Sequence, residues 1–266
     1  MANLRLFYRP GFECRAGLLS ETLSLPSQPF PDESACEGLA LVLDGQGLAL
    51  QQLGSGAPGP VRCDFAAGAA RHRRLYGGGR GQAIAKAVGL ARKGFRPRIL
   101  DLTAGLGRDG FVLASLGAIV TLVEKHPVVH ALLSDGLQRA MDWAREENDA
   151  ALLETLSRMT VRSGDGLSYL EALPDEQVPD VIYLDPMFPP REKSGKVKKE
   201  MQLFHELVGQ ASDEDGQLLM ASLDRARYRV VVKRPSHAPF LADREPAHSL
   251  KGKSTRFDIY PLKKLP

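Results

Sequence analysis

An aspartate and a proline-rich aromatic segment follow directly after a short apolar strand, Val181–Leu184. Open α/β sheets bind ligands at the carboxyl ends of their strands. There, the Asp185 carboxylate and a backbone carbonyl held rigid by Pro186 could accept both N–H bonds of an aromatic amine and aim its lone pair. The Asp185 carboxylate could also ease proton loss from that nitrogen, and Phe188 offers a face on which a base can stack. We therefore predict that Asp185, Pro186 and Phe188 are catalytic residues.

A glycine-rich turn between a predicted strand and a predicted helix indicates a nucleoside cofactor. Asp101 precedes the turn, and Gly105, Gly107 and Gly110 lie within it. Glycines allow a sharp bend and a close approach of the backbone to a ligand. Glu124 ends the next predicted strand, 19 residues after Gly105, where an acid can accept hydrogen bonds from a ribose diol. This spacing fits both NAD and S-adenosylmethionine.

Two carboxylates favour S-adenosylmethionine over NAD. Asp101 and Asp109 flank the turn, where they would repel a pyrophosphate but attract an ammonium and a sulfonium. Asp165 and Gly166 follow the third predicted strand, and the Asp165 carboxylate would reach the exocyclic amine of an adenine there. We therefore predict S-adenosylmethionine as the cofactor. The residues predicted to contact it are Asp101, Gly105, Gly107, Asp109, Glu124, Asp165 and Gly166.

The spacing of apolar residues predicts two domains. Residues 1–60 form a small, mostly β subdomain with a hairpin of residues 39–43 and 48–50, and it ends in a turn-rich stretch at 55–60. Residues 61–266 form an α/β domain, because strands alternate with helices from residue 98 onwards. This pattern predicts a Rossmann-like sheet with helices on both faces. The predicted strands are 99–102, 119–123, 159–162, 181–184, 229–233 and 254–260.

Composition indicates a cytoplasmic protein that has neither a membrane span nor a metal site. The chain has 266 residues, of which 43% are apolar, enough for one full-sized core. No apolar run reaches the roughly 18–20 residues of a membrane span, and the N-terminus lacks a secretory signal. Cys14, Cys36 and Cys63 show no C-x-x-C spacing, and the six histidines are scattered.

Basic residues are concentrated toward the end of the chain, which suits a polyanionic partner. Residues 186–266 contain 16 lysines and arginines against 10 aspartates and glutamates. Binding to a polyanion is driven by the release of counterions. The basic run at 191–199 follows the Asp185 motif and is predicted to form a lid over the target base. We predict RNA contacts at Arg73, Arg74, Arg80, Lys198, Lys199, Lys233 and Arg234.

The Asp185 motif resembles the Asp/Asn-Pro-Pro-Phe/Tyr signature of amino-group methyltransferases, with Met187 in place of the second proline. Longer segments resemble the bacterial ribosomal RNA small subunit methyltransferase J family, and they are residues 77–89, 101–115, 183–189, 197–201 and 230–235. Together they span about residues 61–260. Around Asp165 the chain departs from the serine-containing form of the family.

The resemblance implies a class I methyltransferase sheet, S-adenosylmethionine as cofactor and N2-methylation of a guanosine in small-subunit ribosomal RNA. The partner it implies is that RNA or the assembled small ribosomal subunit. The cofactor contacts that it implies are Arg108, Asp109, Glu124, Lys125, Asp165, Gly166 and Asp185.

Three other classes of protein share part of this pattern. A DNA adenine or protein amide methyltransferase also carries the Asp/Asn-Pro motif, but a DNA enzyme needs a recognition module for which 60 residues are few. An NAD-dependent oxidoreductase fits the glycine spacing but does not explain Asp185 or Phe188. A non-catalytic RNA-binding protein would have no need of an intact Gly105, Gly107 and Asp185.

Overall fold

A small sheet is formed by the first part of the chain. The computed structural model describes residues 4–31, 37–187, 207 and 214–266. The small sheet has the strand order β2-β1-β3-β4, and its strands are β1 (Arg5–Tyr8), β2 (Ser27–Pro29), β3 (Gly38–Asp44) and β4 (Gly47–Leu53). Strands β3 and β4 pair antiparallel, with Asp44 opposite Gly47, so the predicted hairpin is confirmed.

A helix that the apolar pattern does not predict, α1 (Glu13–Leu23), lies between β1 and β2. Of its 11 residues only Ala16 and Leu23 are buried, whereas Leu18 is 66% exposed. Its apolar residues therefore do not form the stripe that identifies an amphipathic helix in a sequence. The N-terminal part thus contains the predicted small sheet together with one helix.

The larger sheet has seven strands in the order β10-β11-β9-β8-β5-β6-β7. The strands are β5 (Arg98–Asp101), β6 (Ile119–Glu124), β7 (Met159–Ser163), β8 (Val181–Leu184), β9 (Arg229–Pro235), β10 (His248–Lys251) and β11 (Thr255–Pro261). Strands β5 to β9 pair in parallel, and β11 runs antiparallel to both β9 and β10. All six predicted strands are present, and β10 is an edge strand that the pattern does not predict.

Helices cover both faces of the larger sheet, which confirms the predicted Rossmann-like fold. Alternate residues of β8 point to opposite faces, as expected for a strand buried on both sides. The helices are α2 (Gly68–Tyr76), α3 (Ala83–Ala87), α4 (Arg108–Ser115), α5 (Pro127–Glu146), α6 (Ala150–Ser157), α7 (Gly166–Glu171) and α8 (Glu214–Arg225). Val181 and Tyr183 pack with residues of α3, α4 and α6, whereas Ile182 and Leu184 pack with residues of α7 and α8.

The small sheet packs against helix α5. The buried cluster between them includes Leu6, Leu41, Leu43, Leu48, Leu50, Val128, Val129 and Leu132. Asp135 of α5 accepts hydrogen bonds from the Leu48 backbone N–H, at 3.1 Å, and from the Arg15 guanidinium. Leu50 and Val61 exchange two backbone hydrogen bonds across the expected boundary. The division at residue 60 stays a prediction.

The carboxyl ends of three neighbouring strands bring the predicted acids to one edge of the sheet. Asp101 is the last residue of β5, Glu124 is the last residue of β6, and Asp185 follows β8. The chain leaves β5 toward β6 on one side and returns to β8 on the other. The two connections therefore diverge at this point and leave a crevice between them, the usual place for a ligand in an open α/β sheet.

Candidate active site

The three glycines of the predicted turn, of which Gly110 lies in α4, have two different structural roles. A Cβ on Gly107 would lie 2.7 Å from Leu133 Cδ1, and one on Gly110 would lie 2.5 Å from Leu122 Cδ2. These two glycines therefore allow close packing of the loop and α4. Gly105 has a φ of +53°, and a Cβ there would meet no atom within 4 Å. The backbone at Gly105 thus faces open space beside the crevice.

Glu124 holds this loop from the neighbouring strand. Its Oε2 accepts a hydrogen bond from the Gly105 backbone N–H at 2.8 Å, and its Oε1 accepts one from the His126 backbone N–H at 2.8 Å. Burial raises the pKa of Glu124, and the hydrogen bonds from backbone amides oppose that rise. Each carboxylate oxygen keeps a second lone pair, so Glu124 can still accept hydrogen bonds from hydroxyl groups.

Thr103 connects the loop between β5 and α4 to the Asp185 segment. Its backbone N–H donates to Asp101 Oδ1 at 3.0 Å, and its Oγ1 accepts a hydrogen bond from the Asp185 backbone N–H at 2.6 Å. Asp101 is 2% exposed. Burial raises its pKa to about 8, and the negative charges of Asp109, Asp185 and Glu124 add to that rise. Four carboxyl groups thus converge on one crevice, which favours a cationic ligand.

Lys233, at the carboxyl end of β9, lies between two of these carboxylates. Its Nζ donates to Asp109 Oδ2 at 2.8 Å and to Asp185 Oδ2 at 2.6 Å. The Tyr183 hydroxyl donates to the same Asp109 oxygen at 2.7 Å. Charge-assisted hydrogen bonds of this kind are about twice as strong as neutral ones. They fix the position of the Asp185 carboxylate relative to the loop.

The pKa values of Asp109 and Asp185 move in opposite directions. Burial favours the neutral form of Asp109, but the charge and hydrogen bond of Lys233 and the hydrogen bond of Tyr183 outweigh it, so the pKa of Asp109 is lowered. Burial also favours neutral Asp185, and together with the Asp109 charge it outweighs Lys233, so the pKa of Asp185 is raised. The two groups titrate as a linked pair, and Asp185 is the better proton acceptor.

The residues predicted near the adenine form local contacts at the adjacent strand end. Asp165 caps helix α7, because its Oδ2 accepts a hydrogen bond from the Ser168 backbone N–H at 3.1 Å. Lys125 Nζ lies 2.6 Å from Glu214 Oε2 and 3.6 Å from Asp165 Oδ1. Gly166 is buried beside α8, and Arg108 is exposed in the first turn of α4. Asp165 therefore acts as a helix cap, a role that leaves its other oxygen beside Lys125.

Several basic residues that we predict as RNA contacts bind other parts of the protein. Arg74 Nη2 lies 2.5 Å from Asp149 Oδ2, and the arginine is largely buried. Arg73 Nη1 lies 3.5 Å from Asp109 Oδ1, at the rim of the crevice. Arg80 donates to a backbone carbonyl after α4 at 3.3 Å. The structure thus places Arg73 closer to the candidate active site than to a separate basic surface.

The remaining predicted residues divide between β9 and the part of the chain that is not described. Lys233 lies between Asp109 and Asp185, in what we call the Asp185 network (Lys233, Asp109, Asp185 and Tyr183). Its neighbour Arg234 is only 5% exposed. Phe188, Lys198 and Lys199 lie outside the described residues, together with the predicted lid. The structure therefore leaves the predictions for these three residues as they were.

Two residues of the site are missing from the prediction. Tyr183 is fully buried in β8 and contacts Asp109, and a tyrosine within an aliphatic strand is a signal that its hydroxyl has a partner. Thr103 lies between Asp101 and Asp185, and a hydroxyl residue beside a glycine turn carries no such signal. Pro186, which the sequence does predict, is buried directly after Asp185.

No group of three or more histidine, cysteine, aspartate or glutamate side chains in residues 4–31, 37–187, 207 and 214–266 could hold a metal ion. No described helix combines the length and the apolar composition that a membrane span requires.

Known proteins resemble the whole chain. The family described as "Putative SAM-dependent methyltransferase" matches residues 27–262. A Cellvibrio japonicus protein named Ribosomal RNA small subunit methyltransferase J is 51% identical over 269 residues, covering 100% of each chain. A Pseudomonas aeruginosa protein of that name is 54% identical over 226 residues, covering 85% of this chain and 83% of its own. A solved SAM-dependent methyltransferase from Neisseria gonorrhoeae has 37% identity and a TM-score of 0.72, covering 97% of this chain and 95% of that one.

Proposed function

This chain belongs to the ribosomal RNA small subunit methyltransferase J family and is an S-adenosylmethionine-dependent methyltransferase, and from that membership we propose its reaction. We propose that it methylates the exocyclic N2 amine of a guanosine in small-subunit ribosomal RNA, in the cytoplasm. The observation that carries the proposal is the Asp185 carboxylate, held by Lys233 next to the cofactor loop. Neither an NAD-dependent oxidoreductase nor a non-catalytic protein fits the family.

The side chains around the crevice suit the charge and the hydroxyl groups of S-adenosylmethionine. The open space at Gly105 leaves room for a ligand against the loop. The buried carboxyl groups of Asp101 and Glu124 suit a cation and a ribose diol respectively. Around this centre, we propose that Gly107, Arg108, Asp109, Lys125, Asp165 and Gly166 complete the cofactor site. When bound, S-adenosylmethionine would supply an electrophilic methyl group on its sulfonium, which leaves as a neutral thioether when the S–CH3 bond breaks.

The Asp185 segment orients the target amine. The nitrogen of an aromatic amine is a poor nucleophile, because its lone pair is delocalised into the ring. In our proposal the Asp185 carboxylate accepts one N–H of the amine and a backbone carbonyl beside Pro186 accepts the other, which turns the lone pair toward the methyl group. The Thr103 hydroxyl fixes the Asp185 backbone, and Lys233 fixes its side chain. Phe188 stacks on the base in this proposal.

Asp185 also receives a proton. As the nitrogen bonds to the methyl carbon it becomes positively charged and must lose a proton. A carboxylate already hydrogen-bonded to that N–H is placed to take it. Burial raises the pKa of Asp185, which brings its basicity closer to neutral pH. Lys233 keeps its own proton, since the two adjacent carboxylates raise its pKa against the effect of burial.

The proposal is tested by methylation of small ribosomal subunits from a strain that lacks the enzyme. We expect labelled methyl groups to enter the RNA, and nuclease digestion with mass spectrometry to identify N2-methylguanosine. Asp185→Ala should abolish transfer and leave the fold intact, whereas Asp185→Asn should keep part of the activity if orientation of the amine dominates. Transfer to DNA or to protein in place of the subunit, or near-normal activity of Asp185→Ala, would contradict the proposal.

A further inference from the structure

A basic groove lies at the amino end of β9, whereas the candidate active site lies at the carboxyl ends of the strands. Its volume is about 420 Å³, and it is lined by Arg92, Arg229, Pro261, Leu262, Lys263, Lys264 and Leu265. Arg229 is the first residue of β9, whereas Lys233 lies four residues further along the same strand. A strand rises about 3.3 Å per residue. The basic groove and the Asp185 network are therefore about 13 Å apart along β9, at opposite ends.

The basic groove is built from parts that the fold holds in place. The backbone N–H groups of Leu262 and Lys263 donate to the Tyr228 carbonyl at 2.8 and 3.1 Å. Arg229 Nη1 donates to the Ala87 carbonyl at 2.9 Å. These hydrogen bonds tie the backbone at Leu262 and Lys263 to the residue before β9, and the Arg229 side chain to α3. The fold therefore holds the Arg229 guanidinium and the backbone that carries Lys263.

The charges of the basic groove are not neutralised within the described residues. Four of its seven lining residues are cations, and no carboxylate lines it. Arg92, Lys263 and Lys264 are exposed, and among the described ranges none of them forms an ion pair. The Nε of Arg229 is buried and has no hydrogen-bond partner in the described part of the chain. These features differ from those of Arg73 and Arg74, whose guanidinium groups already contact carboxylates.

We propose that the basic groove binds backbone phosphates of small-subunit ribosomal RNA, and that it binds a different segment from the one carrying the target guanosine. This inference rests on the proposed function, because it assumes an RNA substrate. Phosphates are the natural partners of an unpaired cluster of arginine and lysine. Since the groove and the Asp185 network lie at opposite edges of the sheet, a short RNA around the target base would reach only one of them. A folded ribosomal RNA can supply both segments.

The test is a double charge reversal, Lys263→Glu with Lys264→Glu, assayed on two substrates. On small ribosomal subunits, the slope of log affinity against log salt should become shallower by about 2, one for each lost phosphate contact. KM for subunits should rise by more than about 25- to 60-fold near 0.1 M salt, since the loss of each contact removes a factor of about 5–8 per decade of salt and the reversed charges add repulsion. On a short RNA hairpin containing the target guanosine, KM should not change. The turnover number and the S-adenosylmethionine affinity should be the same as those of the wild-type protein.

Matched variants make the result decisive. Arg5→Glu, which reverses an exposed charge on the small sheet, should leave the subunit KM unchanged. Lys263→Gln with Lys264→Gln, which removes charge without reversing it, should give a smaller rise in KM. An unchanged KM and salt slope for Lys263→Glu with Lys264→Glu would overturn the inference. So would an equal effect of the control variant, or an equal loss on the hairpin. Failure of the proposed function differs from these, since the unchanged protein would then not methylate subunits at all.

Discussion

Replacing Lys233 with methionine should move the pH dependence of methyl transfer to higher pH. Lys233 Nζ lies 2.8 Å from Asp109 and 2.6 Å from Asp185, so its loss leaves two carboxylates close together without a cation. An opposite charge within about 4–6 Å lowers a carboxyl pKa by about 1–3 units. Because the side chains of Lys233 and Asp185 are 27% and 38% exposed, solvent screens part of this effect. We therefore expect the pKa of Asp185 to rise, and the acid limb of the activity profile to move to higher pH by about one pH unit.

The assay is the turnover number on small ribosomal subunits at saturating S-adenosylmethionine, measured from about pH 5 to about pH 9. Ionised Asp185 is the active form, so activity rises with pH through its pKa. A higher pKa of Asp185 therefore moves the acid limb of the profile to higher pH. Lys233→Arg is the matched control, because it keeps the positive charge and should keep most of the unchanged profile. Thermal melting of each variant shows whether its fold is intact.

One result would refute this account of Lys233. If Lys233→Met keeps the acid limb of the wild-type protein and instead raises KM for the RNA, then Lys233 contacts the substrate. Its position beside Arg234 in the sequence would agree with that result. A shifted acid limb with an unchanged KM would assign Lys233 to the positioning of Asp185. The two outcomes are measured in the same experiment.

Three further predictions concern Glu124, Asp101 and the glycines that follow β5. Glu124→Ala should weaken S-adenosylmethionine binding by about 1.5–3 kcal/mol in calorimetric titration. Glu124→Gln, which keeps an acceptor oxygen, should weaken binding less. Unchanged affinity of Glu124→Ala would show that Glu124 does not contact the cofactor. Affinity for S-adenosylmethionine should rise by up to about tenfold per pH unit toward pH 8 and then level off, because a cation favours ionised Asp101, whose pKa is about 8. Asp101→Asn should abolish this pH dependence. Gly105→Ala should reduce affinity at a stability cost of about 1–2 kcal/mol for its positive φ. Gly107→Ala should lower the melting temperature further, because its Cβ meets Leu133.

The sheet and its row of acids could be predicted because each acid follows a strongly apolar strand. Val181–Leu184 is an uninterrupted apolar run, as expected for a strand covered on both faces, and Asp185 comes immediately after it. Parallel strands bring their carboxyl ends to one edge. The positions of Asp101 and Glu124 relative to Asp185 therefore follow from strand order alone. Local pattern and topology were sufficient for this part of the site.

The partners of the charged side chains could not be predicted in this way. Lys233 contacts Asp109, which is 124 residues away in the sequence, and no local pattern encodes that pairing. Likewise, Arg74 and Asp149 are 75 residues apart. A lysine or arginine in a sequence therefore indicates a charge but does not tell whether the charge is used inside the protein. Helix α1 escaped prediction for another reason, since few of its residues are buried.

The packing of the small sheet on α5 has a consequence for any shortened form of the chain. Helix α5 begins at Pro127, three residues after Glu124, and its residues Val128, Val129 and Leu132 are covered by the small sheet. A fragment starting at residue 61 would expose these side chains, and each apolar side chain of this size contributes about 1.5–3 kcal/mol when buried. The fragment would also uncover an apolar surface close to Glu124. We therefore expect it to aggregate, and a proteolytic cut near residue 60 to leave the two pieces associated.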